Sequence, residues 1–258
     1  MKYQTLVVEK KDRVGLIVLN RPDHMNTFST VLAKELNAAL DELEKDGQIR
    51  AVIIKGAGKS FCAGIDITEF SGKTLLEYRE WIALMEKMTL TIATMGKPVI
   101  AAVHGYAVAN GTGLLAACDL AIAAEGTRIG TTAINVGLFC MGPAVPLSRC
   151  VGRKKALEML LTGMMIDARE AERIGLVNRV VSPEDLDEAA MKLANDLAAK
   201  NSIALQMGKR AFYTMVDMEY AKALEYMNEM MAELCTTEDA KEGVDAFLNK
   251  RKPRWKER

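Results

Sequence analysis

Hydrophobic and polar positions change period several times along the chain, and each change predicts an element. Residues 3–9 and 13–19 alternate or run apolar on either side of Lys10-Lys11-Asp12, which predicts a hairpin; Asn20-Arg21-Pro22-Asp23 ends it as a turn. Ser29 or Thr30 caps a helix to about Lys45, because Val31, Leu32, Leu36, Ala39, Leu40 and Leu43 fall on one helical face. Ala51 to Lys55 reads as a short β-branched strand, and a helix follows from about Thr74 to Met95. The centre of the chain is KPVIAAVHGYAVANGTGLLAACD, Lys97 to Asp119. Its apolar run ends at His104-Gly105, a tight loop of small residues follows, and a short buried helix begins near Asn110. Leu120 to Ala124, Thr127 to Gly130 and Val177 to Val181 are strand-like. Helices are expected over about 153–161, 167–174, 183–199, 202–216, 218–234 and 238–249. Mixed strand and helix over the first 145 residues, then mostly helix, predicts an α/β core with a helical C-terminal region.

Composition narrows the class of function. Lys plus Arg equals Asp plus Glu at 34 each, so no overall field recruits nucleic acid or an anionic membrane. Half of the residues are hydrophobic, enough for a sizeable core, and the sixteen Met are read as soft core filling. Cys62, Cys118, Cys140, Cys150 and Cys235 are widely spaced in apolar surroundings, the pattern of free thiols in a reducing compartment. With only His24 and His104, a His-rich metal site is not possible, and no metal is expected. MKYQTLVVEK has neither an apolar signal core nor an Arg/Ser-rich leader. The most apolar stretch, Val99 to Ala117, carries His104, Asn110, Gly105, Gly111 and Gly113, which argues against a membrane span. A cytoplasmic protein is expected.

Several motifs compete for the chemistry. Gly58-Lys59-Ser60 lacks the first glycine of a phosphate-binding P-loop, since Ile53 stands there. Gly111-Thr112-Gly113-Leu114-Leu115-Ala116 fits a dinucleotide-binding turn. Its glycines, however, lie several residues past the predicted strand end, its helix is short, and no acidic residue follows about twenty positions on. Cys140 is a candidate nucleophile, weighed against a buried inert thiol. His104 is read as a loop brace. No carboxylate, serine or lysine lies between Gly105 and Cys118, so chemistry there falls mostly to main-chain N–H groups at a helix start, which suit developing negative charge.

Phe61-Cys62-Ala63-Gly64-Ile65-Asp66, together with Gly105-Tyr106-Ala107-Val108-Ala109-Asn110-Gly111 closing on Cys118-Asp119, resembles the crotonase (enoyl-CoA hydratase/isomerase) superfamily. Leu19-Asn20-Arg21-Pro22 with Asn26, Leu161-Thr162-Gly163 with Ala168 to Val177, and Glu242-Gly243 through Lys252 extend the resemblance over almost the whole chain. It implies a ββα spiral core, taken as residues 1–195 with linker helices, and a helical oligomerisation region over 196–258, in a homotrimer or hexamer. It also implies an acyl-CoA thioester as substrate, with no separate cofactor. The main-chain N–H groups of Ile65 and Asn110 would form an oxyanion hole that stabilises a thioester enolate. Coenzyme A would lie along Met25, Ala63, Asp66, Ile67 and Gly111, with Lys250 near a phosphate.

The departures from the family pattern matter as much as the matches. Its usual glycine triplet is Ala109-Asn110-Gly111 here, and the two glutamates that handle water in its hydratases fall at Gly113 and Ala133. A positioned acid or base contributes about 10²–10⁴ in rate, so losing two removes about 5–11 kcal/mol of barrier lowering. One oxyanion donor is worth about 10²–10³. The sequence therefore predicts a retained thioester grip without the usual water-handling pair. Thr131 and Thr132 are positioned to hold an anion or water beside Gly113. The alternatives are a non-catalytic acyl-CoA binder and a dinucleotide-dependent oxidoreductase.

Overall fold

The computed structural model describes residues 3–256. The predicted hairpin forms from β1 (Leu6–Lys11) and β2 (Val14–Leu19), antiparallel across the Asp12 turn. From β2 onward the large sheet is parallel, adding β3 (Ala51–Gly56), β4 (Val99–Val103), β6 (Leu120–Ala124) and β9 (Arg179–Val181) in the order β1-β2-β3-β4-β6-β9. The inner strands are buried on both faces, which explains why they read as continuous apolar runs.

A second, smaller sheet holds β5 (Tyr106–Val108), β7 (Arg128–Gly130) and β8 (Met165–Asp167). Cys62 joins it through a parallel bridge to Ala107. The chain therefore visits the large sheet, then the small one, then a helix, and repeats. β3, the Cys62 bridge and α2 (Leu75–Thr94) make one turn; β4, β5 and α3 (Asn110–Ala117) make the next; β6 and β7 begin a third, followed by α4 (Met141–Cys150). This is the expected ββα spiral.

Helix α1 (Thr30–Lys45) is capped by the Ser29 hydroxyl, as predicted, and buries Leu32, Leu36, Leu40 and Leu43. Helix α2 begins at a capping box in which Thr74 and Glu77 each satisfy the other's main-chain N–H. The Trp81 indole N–H bonds the Thr30 hydroxyl, and the Thr91 hydroxyl bonds Asn37, so two side chains fix the rotation of α2 on α1. Helix α3 is buried at every residue.

The sequence reading missed two strands and one α-helix. β5 and β8 are three residues each and owe their pairing to the second sheet rather than to any periodicity of their own. Helix α4 carries Pro143 and Pro146, which read as breakers. Pro143 is tolerated because it sits in the first turn, where its missing N–H would have no partner. Pro146 removes one intrahelical bond.

After α5 (Arg153–Thr162) and α6 (Ala168–Arg173), α7 (Leu186–Ala198) lies on the large sheet, burying Leu186, Ala190 and Ala194 against Val14, Ile53, Ile100 and Ile122. The division expected at 195/196 falls within the last turn of α7. Helices α8 (Ser202–Met215), α9 (Tyr220–Thr236) and α10 (Glu238–Leu248) follow, and α9 buries none of its residues. No helix among the described residues is long and apolar enough to cross a membrane.

Candidate active site

Four loop segments are stitched together at one end of the spiral. Buried Asn26 accepts from the Arg21 N–H and donates to the carbonyls of Ala57 and Ser60. Arg21 bonds the Thr27 carbonyl at 2.6 Å and the Asp66 carboxylate at 2.8 Å. The Asn-Arg-Pro and Asn26 signature is thus loop scaffolding. Asp66 belongs to it as well: the Thr68 hydroxyl, helped by Arg21, holds its carboxyl below the usual range. Its charge is engaged within the protein.

Segment 61–66 runs between two neighbours. On one side Phe61 N–H donates to the His104 carbonyl, Cys62 N–H to Tyr106, and Val108 N–H returns to Cys62. On the other, Ala63 N–H donates to the Met25 carbonyl, Phe28 N–H to Gly64, and Asp66 N–H to Phe28. Because the Gly64 carbonyl faces Phe28, the trans peptide turns the Ile65 N–H to the opposite side. A Cβ at Gly64 would lie 3.1 Å from the Ala109 Cβ and 3.9 Å from the Asn110 nitrogen. Among the described residues neither the Ile65 N–H nor the Asn110 N–H donates to a protein acceptor. Helix α3 makes its first internal bond only at Gly113 N–H to Ala109.

The turn into α3 is strained and tightly held. Ala109 has φ 49° and ψ −113°, a region that favours glycine. Ala109 N–H donates to the Gly130 carbonyl, and the Thr112 hydroxyl is 2.8 Å from the carbonyls of both Ala107 and Gly130. A Cβ at Gly111 would collide with the Cys62 carbonyl, so that position packs main chain on main chain. The His104 ring braces the Gly58 carbonyl at 3.0 Å, as expected. β5 ends just before the glycines of the dinucleotide-like pattern, nearer than the sequence suggested. What separates this turn from such a site is the eight-residue α3 and the Gly111–Cys62 contact.

A model of the Enoyl-CoA hydratase/isomerase family matches residues 9–258. The chain belongs to the enoyl-CoA hydratase/isomerase family. It is 40% identical over 261 residues to a probable enoyl-CoA hydratase of Rhizobium meliloti, covering 100% of both chains. It is 35% identical to the short-chain-enoyl-CoA hydratase of Clostridium acetobutylicum, over 98% of this chain and 97% of that one. Among solved structures, an enoyl-CoA hydratase of Mycobacterium smegmatis superposes with a TM-score of 0.95 at 40% identity, covering 98% of this chain and 99% of that one. The spiral is therefore the crotonase fold.

In this member of the crotonase family, the positions singled out in the sequence fall into two groups. Ile65, Asn110, Gly111, Gly113, Ala63 and Met25 lie on the stitched loops and α3; Met25 and Ile67 are exposed at its rim. Lys250 lies just past the end of α10, which packs on α9. At Gly113 a Cβ would meet Pro143 of α4 at 3.0 to 3.2 Å, so α4 crowds the first vacated glutamate position. Ala133 lies two residues after Thr131, whose buried hydroxyl has no partner. Burial pushes the Cys140 thiol up, which leaves it protonated and ill-suited as a nucleophile. Asp119 is bonded by Val99 N–H, Lys209 and Tyr213, and Glu125 pairs with Arg169 at the surface; both are structural.

One carboxylate in this neighbourhood was missed. Glu86 of α2 accepts from the Asn110 side-chain amide at 2.9 Å. Its Oε2 is shielded from solvent and has no hydrogen-bond partner. A Cβ at Gly142 would run into its carboxyl group, so Gly142 leaves room for it. Burial, only partly offset by Asn110, pushes Glu86 up to about 6. In sequence it is a polar residue beside the buried stripe Trp81, Met85, Met88 and Ile92, indistinguishable from a solvent-facing glutamate. The available signal was indirect: α2 leads straight into the central strand, so its inner face had to meet α3.

Proposed function

We propose that this protein binds an acyl-CoA thioester and stabilises its enolate with the main-chain N–H groups of Ile65 and Asn110. The observation that carries the reading is that these two N–H groups lie on bends packed against each other and, among the described residues, neither has a protein acceptor. Two fixed donors aimed at one carbonyl oxygen favour the enolate over the ground state, because charge on that oxygen grows along the reaction. Hydration by the family's glutamate pair is not open to it, since Gly113 and Ala133 hold no acid. Coenzyme A lies along Met25, the main chain of Ala63, Ile67 and Gly111, and Asp66 shapes that wall through Arg21. Lys250 makes a phosphate contact from the C-terminal region.

The chains assemble as trimers or hexamers in the cytoplasm. Tyr220, Leu224 and Met231 of α9 and Phe247 and Leu248 of α10 are exposed in one chain and become covered between copies. Light scattering should give three or six times 28.3 kDa. The direct test of the site is titration with crotonyl-CoA. Polarisation of the thioester carbonyl shifts its conjugated absorbance to longer wavelength. An unshifted spectrum at saturation overturns the oxyanion-hole reading, and binding of a nicotinamide dinucleotide in its place would favour the oxidoreductase.

A further inference from the structure

The thioester grip stands next to a carboxylate that no structural role accounts for. Other buried acids among the described residues are satisfied: Asp119 by a lysine, a tyrosine and a main-chain N–H, Asp66 by Arg21 and Thr68, and Asp239 by the Asn201 amide and the Lys256 N–H. Glu86 has one neutral amide on Oε1 and nothing on Oε2. Leaving a carboxylate desolvated and unpaired costs stability, so a purely structural residue here would be better replaced by an apolar one. Its location is specific. Through Asn110 it is one side chain away from a proposed oxyanion donor. Gly142-Pro143 connect it to Gly113: its carboxyl stands where a Gly142 Cβ would lie, and Pro143 faces Gly113. It therefore meets, from a different helix, the same first turn of α4 that crowds the vacated Gly113 position.

We propose that Glu86 is the acid–base group of this site, exchanging a proton with the α-carbon of the bound acyl-CoA. The step is self-contained. The Glu86 carboxylate takes the α-proton, the C–H bonding pair becomes the enolate double bond, and the thioester oxygen carries the negative charge beneath the Ile65 and Asn110 N–H groups. Reversal returns the proton to the α-carbon; return to the γ-carbon of an unsaturated acyl chain moves the double bond instead. A single carboxylate suffices for this, whereas the family's hydratases use a pair to hold and split water. Asn110 links the two halves, its N–H toward the substrate oxygen and its amide positioning the base. A near-neutral proton affinity suits a group that must both accept and donate.

The inference rests on the thioester reading, and the test separates the two. Butyryl-CoA, which can be neither hydrated nor isomerised, is incubated with the full-length protein in D₂O, and α-deuterium is followed by mass spectrometry while calorimetry gives the affinity. Wild type should bind and exchange. Glu86→Gln should bind equally well and exchange about 10²–10⁴-fold more slowly. Glu86→Asp keeps the charge but draws it back by one methylene, and should lie between the two. Binding by wild type without exchange, or wild-type exchange by Glu86→Gln, overturns the role of Glu86 and leaves the thioester reading standing. Failure of wild type to bind butyryl-CoA overturns both.

Discussion

Replacing Glu86 by Gln should make the protein more stable at neutral pH, and the gain should vanish in acid. The carboxyl's pKa is raised from 4.5 to about 6 by burial among the Asn110 amide of α3 and the Cys140 thiol at the start of α4, with no cation facing it. At about 1.4 kcal/mol for each tenfold change in proton affinity, the ionised form carries a penalty of about 2 kcal/mol in the folded state. The sign follows from linkage. A carboxyl whose folded value lies above its unfolded value contributes stability that is fully present below pH 4.5 and is lost as pH rises through about 6. Gln cannot ionise and has no such dependence. Urea unfolding of both forms, at matched chain concentration and at several pH values between 4.5 and 8, gives the difference directly, and all other titrating groups cancel. The difference should move in favour of Gln by about 2 kcal/mol across that range. A pH-independent difference would mean that the carboxyl ionises as freely folded as unfolded, and would refute the argument that it is buried without a charge partner.

Gly142→Ala adds a methyl group where the Glu86 carboxyl now sits, so it should cut α-proton exchange at least about tenfold. The helix preference of Ala offsets part of the packing cost, and thermal unfolding should show a near-native transition. Asp119→Asn removes the countercharge of Lys209, whose side chain is 8% exposed and 2.7 Å away. Stranding that ammonium should cost about 3–5 kcal/mol in denaturant unfolding, while acyl-CoA affinity per folded chain is unchanged. Ala109→Gly relieves a positive φ worth about 1–3 kcal/mol against a glycine entropy cost of about 0.5–1. The melting temperature should rise, and a fall would contradict the strain argument.

What the sequence determined by itself was whatever is written in local pattern and close spacing. The α1 face, the Ser29 cap, the hairpin and the buried central strand follow from periodicity, because burial on one face or on both leaves a direct mark on residue type. The two glycine-containing loops were legible because a close main-chain approach excludes side chains, as Gly111 does against Cys62. Tertiary structure decided the rest. β5 and β8 are too short to show a period and exist only because a second sheet pairs them. Helix α4 keeps its prolines because packing on α3 outweighs the lost hydrogen bond. The environment of Glu86 belongs to no segment. It is made where α2, α3 and the start of α4 meet, 24 positions separate it from Asn110, and desolvation by residues remote in the chain leaves no trace in the residues beside it.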